Sequence, residues 1–284
     1  MKSNKKERGM LILSMAVFGT LAPFVRRIGV SSGELALYRA ILAAVLIGVF
    51  LLVTGRPVRV KGLGRELPLL LLSGMAMGIN WILLFEAYKY TTVSAATLSY
   101  YFAPVIVTVV SPFLFKEKLT GKQILCFVMS TLGLVLVNGA ALGGGNDLLG
   151  VLFGLGAAVF YACVILLNKF IRVVTGIHRT FLQFLSAIVI LIPYVACTGG
   201  VTLGNLDGTG WVCLLIVGFV HTGITYCLYF SSLKELPGQQ AAILSYIDPL
   251  VAIVIGVLVL GEPLTVQQLI GGGLILGFTL WNEL

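Results

Sequence analysis

The chain has 284 residues, of which 58% are hydrophobic and 11% charged, with a mean hydropathy of +1.05 and a net charge of +8. These values exclude a soluble globular domain. Most of the uncharged stretches approach or exceed the roughly 20 residues that a helix needs to cross the hydrocarbon core of a bilayer. The sequence therefore predicts a polytopic membrane protein.

The uncharged stretches predict ten transmembrane segments. Each is expected to be a helix, because lipid offers no hydrogen-bond partner and every backbone group must be satisfied within its own segment. The first apolar stretch is expected to be a retained helix, since it lacks the small-residue cleavage site of a signal peptide. The five cysteines lie within spans at unrelated spacings, so neither a disulfide nor a metal site is expected. The predicted spans are 9–28, 33–54, 66–89, 92–115, 120–140, 148–171, 179–199, 209–233, 238–260 and 264–283.

The distribution of basic residues predicts the orientation. With the N-terminus in the cytoplasm, fifteen of the 19 Lys and Arg residues lie in cytoplasmic segments and three in external ones. The positive-inside rule then places both termini in the cytoplasm. The positive net charge is explained by this topology and does not indicate nucleic-acid binding.

The chain contains a repeat: residues 85–123 align without a gap on residues 230–268, 145 positions later. Matches at Pro, Glu, Thr and Gln indicate two related halves, 1–140 and 148–284, joined by the glycine-rich linker 141–147. Each half has five helices, an odd number, so the second half enters the membrane in the opposite sense. The sequence predicts an all-α fold of two inverted five-helix repeats, an architecture typical of transporters. Identical pairs include Phe85/Phe230, Tyr101/Tyr246, Pro104/Pro249, Glu117/Glu262, Thr120/Thr265 and Gln123/Gln268.

Glycine is abundant, with 34 residues, and several glycines lie four positions apart. This spacing lets helices pack closely in lipid. A nucleotide-binding loop is disfavoured, since no strand precedes these glycines and no Lys-Ser/Thr follows them. The pairs are Gly74/Gly78, Gly150/Gly154 and Gly273/Gly277.

The two halves close on similar motifs, which carry a family resemblance. These are Pro104…Lys116-Glu117-Lys118-Leu119-Thr120…Gln123 and Pro249…Gly261-Glu262-Pro263-Leu264-Thr265…Gln268; the chain also opens with Val17-Phe18-Gly19, then Glu34 to Arg39. With them the whole chain resembles the EamA-type transporters of the drug/metabolite transporter superfamily, although Lys116 stands where Gly commonly precedes the Glu. The resemblance implies a plasma-membrane secondary carrier, often an exporter of amino acids or other small metabolites. It also implies a central cavity among helices 1, 3, 4, 6, 8 and 9.

Two ionisable residues lie near the middle of predicted spans. Asp248, in the ninth span, has Ala103 as its repeat mate and shares a helical face with Ser245. A carboxylate there costs roughly 2.5–3.5 kcal/mol, so substrate binding or proton transfer is favoured over a protonated structural acid. His221, in the eighth span, has Ala76 as its mate; substrate binding and a packing role are both open for it.

Further polar and aromatic side chains within the spans are candidates for the pocket lining. Phenolic and amide groups at this depth would supply a few directed contacts in a mostly apolar pocket. Periodicity alone does not settle which of them face inward, because each helix has at least two protein-facing sides. The candidates are Asn80, Trp81, Tyr101, Tyr226 and Tyr246.

Candidate gating residues come from charge and from proline. The uncharged stretch after Arg39 is too short to span the bilayer, which places Arg39 near the outer interface, paired most simply with Glu34 or Glu86. Such a pair would close the outer end and would break when the cavity opens outward; this role is favoured over substrate binding, which remains the alternative. Pro104 and Pro249 interrupt the fourth and ninth helices near the midplane, as hinges or as static kinks.

These features predict a secondary active transporter for a small metabolite, expected to be an exporter that works by alternating access. Protons are a candidate coupling ion, and no cofactor is expected. Two alternatives remain open: a membrane-embedded enzyme acting on lipid-linked substrates, and a passive channel. An enzyme is disfavoured, because Asp248 and His221 stand alone at the midplane and paired acid–base groups near an interface are lacking.

Overall fold

A computed structural model describes residues 5–55, 58, 63–115, 120–138, 146–233, 236, 241 and 244–284, except for the side chains of residues 112, 138, 146 and 283. Within these ranges the regular structure is helical and contains no strand. Seven helical segments are long and apolar enough to cross a membrane, and residues 121–137 and 247–258 form shorter apolar helices. The all-α membrane fold predicted from the sequence is confirmed.

The helices follow the predicted spans, with interruptions in the first, fourth, eighth and ninth. Several predicted features fall outside the described residues: the motif at 116–119, most of the linker, and part of the start of the ninth span. The helices are α1 Lys5–Gly19 and α2 Leu21–Arg27 (span 1), α3 Ser32–Val53 (span 2), α4 Leu67–Tyr90 (span 3), α5 Val93–Tyr100 and α6 Ala103–Phe115 (span 4), α7 Gly121–Asn138 (span 5), α8 Asn146–Phe170 (span 6), α9 Gly176–Thr198 (span 7), α10 Gly208–Leu215, a π-helix Ile216–Ile224 and α11 Thr225–Leu233 (span 8), α12 Ile247–Leu258 (span 9) and α13 Val266–Glu283 (span 10).

The packing of these helices has the pattern expected of two inverted repeats. Span 2 packs on span 7, span 4 on span 9, and span 5 on span 10, so each of these spans contacts its own repeat mate. Span 3 packs on span 6, and the mates of these two, spans 8 and 1, also pack on each other. Exchanging the halves therefore maps each of these contacts onto itself or onto another of them, as a pseudo-twofold relation between the repeats requires.

The repeated Thr and Gln residues act as helix caps. In α13 the Thr265 hydroxyl accepts from the backbone N–H of Gln268 at 3.2 Å, and the Gln268 side chain accepts from the backbone N–H of Thr265 at 3.0 Å. Thr120 and Gln123 form the same reciprocal pair at the start of α7. Such a capping box satisfies N–H groups that the first helical turn leaves without a partner. These identities between the halves are thus explained by local structure.

The repeated prolines lie just after breaks in their helices. α5 ends at Tyr100 and α6 starts at Ala103, so Pro104 occupies the second position of a new helix. Pro249 is the third residue of α12. Proline is tolerated in a first helical turn, because the N–H groups there have no intrahelical acceptor. Spans 4 and 9 are therefore discontinuous at equivalent positions.

Candidate functional site

A cavity of about 500 Å³ lies between the two repeats. Spans 1, 3, 4, 6, 8 and 9 all contribute to its lining, and spans 2 and 7 contribute as well. Most of the lining is aromatic or aliphatic, with a small number of polar groups, which is the composition of a small-molecule pocket. The predicted candidates in the lining are Arg39, Asn80, Trp81, Tyr101, Pro104, Tyr226, Ser245, Tyr246 and Asp248.

Asp248 and Tyr101 connect the two broken helices inside this cavity. The Tyr101 hydroxyl donates to Asp248 Oδ2 at 2.6 Å. Tyr101 occupies the break between α5 and α6, and Asp248 lies in the first turn of α12. The carboxyl group therefore sits where the discontinuities of spans 4 and 9 meet.

Gly19 lets span 1 approach Asp248 closely. A Cβ atom on Gly19 would lie 2.6 Å from the Asp248 carbonyl oxygen and 2.7 Å from Cβ of Val251. Any larger residue would push α1 away from α12, since neither the backbone nor a Cβ atom can move aside cheaply. The glycine of the opening motif thus fixes the wall of the cavity beside the carboxyl group.

Aromatic rings form much of the remaining wall. Trp81 and Tyr226 both meet Phe184 edge to face, with ring centroids 5.3 and 5.5 Å apart. Tyr100 and Tyr161 stack at 5.2 Å beside the Asp248 side of the cavity. Faces of such rings attract cations. The wall is therefore suited to an apolar ligand and to an ammonium group.

Two of the predicted polar contacts are already used within the protein. Asn80 Nδ2 donates to the carbonyl of Ala157 at 2.7 Å, which ties span 3 to span 6. The Ser245 hydroxyl donates to the carbonyl of Ala241 at 2.8 Å. Both residues line the cavity, but the Ser245 hydroxyl hydrogen and one of the two Asn80 N–H groups are engaged within the protein.

The predicted pairing of Arg39 with Glu34 or Glu86 is wrong. Arg39 is 4% exposed and lines the cavity; its Nε donates to the Thr222 hydroxyl at 2.7 Å. Glu34 and Arg39 are five residues apart on one helix, which separates their directions by about 140°. Glu86 instead pairs with Lys89 at 3.1 Å, an i,i+3 contact on the surface of α4.

Glu34 anchors a loop and does not face the cavity. It is fully buried, and its carboxylate accepts from the backbone N–H of Thr202 at 2.6 Å and from the Thr202 hydroxyl at 2.5 Å. Thr202 lies in the connection between α9 and α10, so this contact holds that connection against the start of α3. Glu34 is therefore a structural acid in this conformation.

An ion pair does close one end of the bundle, between residues that were not predicted as partners. Arg26 Nη1 lies 2.6 Å from Glu262 Oε1, while Glu262 Oε2 accepts from the backbone N–H of Val93 at 2.7 Å. Arg26 also donates to the carbonyls of Tyr88 and Thr91 at 3.0 and 2.9 Å. We call these five residues the latch. The latch joins spans 1, 3 and 4 to the connection before α13, at the end of the bundle that carries the α2–α3 connection.

The opposite end of the cavity carries a polar cluster that sequence reasoning missed. Gln183 Nε2 donates to the Ser73 hydroxyl at 2.5 Å and to Asn168 Oδ1 at 2.8 Å. Arg179 donates to the Asn168 carbonyl at 3.0 Å and is partly exposed. The sequence signal for this cluster was the presence of Ser73, Asn168 and Gln183, three polar residues, inside predicted spans 3, 6 and 7. Arg179 and Asn168 in the lining at the α8–α9 end are partly exposed, whereas Tyr88 at the α2–α3 end is buried.

His221 lies outside the cavity lining. It is 2% exposed, with Nε2 3.0 Å from the Thr20 hydroxyl and its ring centroid 4.9 Å from that of Phe24. Its other ring nitrogen is 3.4 Å from the Ile216 carbonyl, five residues back, within the π-helix. These contacts favour the packing role over substrate binding. The π-helix adds a residue to the turn, so side-chain directions within it do not follow the period of 3.6 residues per turn.

Comparison with known proteins agrees with this architecture. Residues 8–139 and 148–282 each match the sequence model of the EamA-like transporter family. The chain is 30% identical over 266 residues to "Uncharacterized transporter YxxF" of Bacillus subtilis, which covers 92% of this chain and 84% of that protein. It is 30% identical over 176 residues to a "Probable amino-acid metabolite efflux pump" of Escherichia coli, which covers 58% of each chain.

A solved crystal structure has the same fold. It superposes with a TM-score of 0.65 and covers 98% of this chain and 97% of the other. The sequence identity is 18%, so the likeness concerns the fold alone.

Proposed function

Because the chain belongs to the EamA-like transporter family, we propose that it is a secondary carrier that exports small amino-acid-type metabolites by alternating access. The proposed location is the plasma membrane, with both termini in the cytoplasm. Export and the substrate type rest on the name of the Escherichia coli relative, an amino-acid metabolite efflux pump. The cavity between two inverted repeats supports the alternating-access part, since such carriers bind substrate at the repeat interface.

The observation that carries the proposal is the hydrogen bond between Tyr101 and Asp248. It joins the breaks of two symmetry-related helices, and it faces the cavity. A ligand ammonium group would compete with Tyr101 for the carboxylate, because both bind to the same oxygens. Occupancy of the site would then alter the link between spans 4 and 9, whose breaks at Pro104 and Pro249 are the proposed hinges.

Gating is proposed to occur at the latch in place of Arg39, Glu34 and Glu86. The Arg26–Glu262 pair spans the α2–α3 end, which the proposed topology makes external. Opening the cavity outward would separate spans 1, 3 and 4 there, and the latch would have to break. Proton coupling is proposed through Asp248, since protonation would remove the cost of a buried charge once the substrate has left.

Counterflow of radiolabelled amino acids in proteoliposomes tests this proposal, with Asp248→Asn as the variant. We expect uptake by wild type and a loss of about 10- to 100-fold in Asp248→Asn, the range for a hydrogen bond to a charged group. Asp147→Asn is the matched control, because Asp147 is an exposed acid at the start of α8. Undiminished counterflow in Asp248→Asn would remove Asp248 from the mechanism.

The same vesicles test the coupling and the carrier mechanism. An imposed pH gradient is expected to drive accumulation in wild type but not in Asp248→Asn. A flux that does not change with the pH gradient would rule out proton coupling. Steady conductance in planar bilayers would indicate a channel instead of a carrier.

A further inference from the structure

Arg39 is a buried cation in the wall of the cavity. It is the eighth residue of α3, and 4% of its surface is exposed. Its guanidinium carbon lies 4.6 Å from the ring centroid of Trp81 and 5.6 Å from that of Phe85. Its Nε donates to Thr222 at 2.7 Å. These contacts hold the planar group on two aromatic rings, in one orientation.

Arg39 forms no ion pair with a described residue. The two ion pairs described above, Arg26–Glu262 and Lys89–Glu86, both lie at the α2–α3 end. Asp248 lines the same cavity as Arg39 but is bonded to Tyr101. A guanidinium group has five N–H donors, and Thr222 takes one of them. An intramembrane cation without a counter-charge is costly and is by default a functional group.

Resting on the carrier function proposed above, we infer that Arg39 binds the carboxylate of the substrate. The ligand class is a small carboxylate-bearing molecule with an apolar body. A guanidinium fork matches the two oxygens of a carboxylate. Trp81, which lies beside it in the cavity lining, accepts the apolar part. The carboxylate would form the ion pair with Arg39 that no described residue forms. An uncharged or purely cationic analogue would leave Arg39 unpaired.

Arg39 also connects the ligand to span 8. The Thr222 hydroxyl accepts from Arg39 and donates to the Val217 carbonyl, five residues back in the π-helix. The π-helix leads directly into Tyr226, which lines the cavity. A carboxylate on Arg39 therefore acts on both halves of the protein through spans 2 and 8.

Trp81 provides a direct readout of binding, because it lies beneath the guanidinium group. In a Trp211→Phe/Trp281→Phe background it is the remaining tryptophan, and the two replaced residues are partly exposed, away from the cavity lining. Four ligands would be titrated into the detergent-purified full chain: L-phenylalanine, 3-phenylpropionate, L-phenylalaninamide and phenethylamine. The two carboxylates are expected to change Trp81 emission, with affinities at least about tenfold above those of the amide and the amine.

The outcomes separate this inference from the proposed function. If the amide or the amine binds as tightly as L-phenylalanine, the assignment of Arg39 is overturned, while an amino-acid-type carrier survives. If none of the four ligands binds and the counterflow panel is also negative, the proposed substrate type falls and the assignment falls with it. If the two carboxylates bind and the amide and the amine do not, the result supports both the proposed function and the assignment of Arg39.

Variants locate the effect at Arg39. Arg39→Gln is expected to bind all four ligands weakly and without preference for a carboxylate, and Arg39→Lys to keep the preference at about tenfold lower affinity. Arg27→Gln, an exposed arginine at the end of α2, is the matched control and should behave as wild type. A monodisperse Arg39→Gln protein that still prefers carboxylates refutes the inference. If Arg39→Gln does not fold, unchanged affinity in Arg39→Lys refutes it instead.

Discussion

Neutralising Glu262 should open the latch end of the cavity. Glu262 is 8% exposed at its side chain and accepts from Val93, while Arg26 is 27% exposed and pairs with it at 2.6 Å. Glu262→Gln keeps an oxygen for the Val93 N–H but loses the charge. A hydrogen bond to a charged group is worth about 1.5–3 kcal/mol and a neutral one about 0.5–1.5 kcal/mol. The difference of roughly 1.4 kcal/mol corresponds to a tenfold larger open population.

Accessibility of a cysteine at Thr97 measures this population. Thr97 is 3% exposed, lines the cavity and lies in α5, one turn beyond the Val93 N–H that Glu262 accepts. The five native cysteines would be replaced first, and a membrane-impermeant thiol reagent would be applied to right-side-out and inside-out vesicles. The labelling rate of Thr97→Cys should rise about tenfold with Glu262→Gln, only in vesicles whose bath faces the latch.

Glu86→Gln is the matched control, because it removes the other ion pair at the same end. That pair is an i,i+3 contact with Lys89 44% exposed, and such exposed pairs contribute about 0.3–0.5 kcal/mol. The expected change in labelling is about twofold or less. If Glu262→Gln labels no faster than Glu86→Gln, the α2–α3 end is held closed by packing and the latch is not a gate.

Two further predictions concern stability, read as the midpoint of thermal aggregation in detergent. Glu34→Ala leaves the Thr202 N–H without its buried acceptor and should cost about 2–3 kcal/mol, whereas a midpoint equal to that of wild type would contradict the anchoring role. Gly74→Ala should lower the midpoint because the new Cβ would collide with Cβ of Ser186, while Gly277→Ala meets nothing within 4 Å and should raise it slightly through helix propensity. Equal effects of the two substitutions would mean that Gly74 is not a packing contact.

Much of the architecture could be predicted because it depends on local rules. Length and hydropathy predicted the membrane helices, and the Thr/Gln pairs of the repeat became capping boxes. The glycine pairs were predicted less well. Gly74 and Gly150 lie against neighbouring helices, but Gly273 and Gly277 have no other group of the described chain within 4 Å of a Cβ position. Spacing alone does not distinguish a helix–helix contact from a face turned to lipid.

The partners of the charged residues could not be predicted, because they depend on tertiary geometry. Glu34 and Arg39 are close in sequence, but their directions around α3 differ, and each found its partner more than 160 residues away, in Thr202 and Thr222. For His221 the sequence left substrate binding and packing both open, and the π-helix that sets the direction of its side chain was not predicted. Proximity in the sequence led to the prediction of an ion pair between neighbouring residues. The fold instead brings spans 2, 7 and 8 together and supplies partners from distant parts of the chain.

The repeat offset explains why the cavity is asymmetric. At the same 145-residue offset, Arg39 aligns in sequence with Phe184, and Trp81 aligns with Tyr226. The last residues of α3 and α9, Val53 and Thr198, also align. Arg39 and Phe184 both contact Trp81, and Phe184 also contacts Tyr226. Symmetry-related positions therefore form one cluster at the centre of the molecule, with a cation from the first half and a phenyl ring from the second.

The acid of the cavity has the opposite asymmetry. Asp248 belongs to the second half, and the first half places Ala103 at the equivalent position. At these two positions each repeat thus contributes one ionisable side chain to the cavity, a base from the first half and an acid from the second, where its mate is apolar. A ligand that satisfied both charges would have to contact both repeats at once. Its binding energy would depend on how the halves are arranged, and this dependence is what a carrier needs in order to couple occupancy to a change between two conformations.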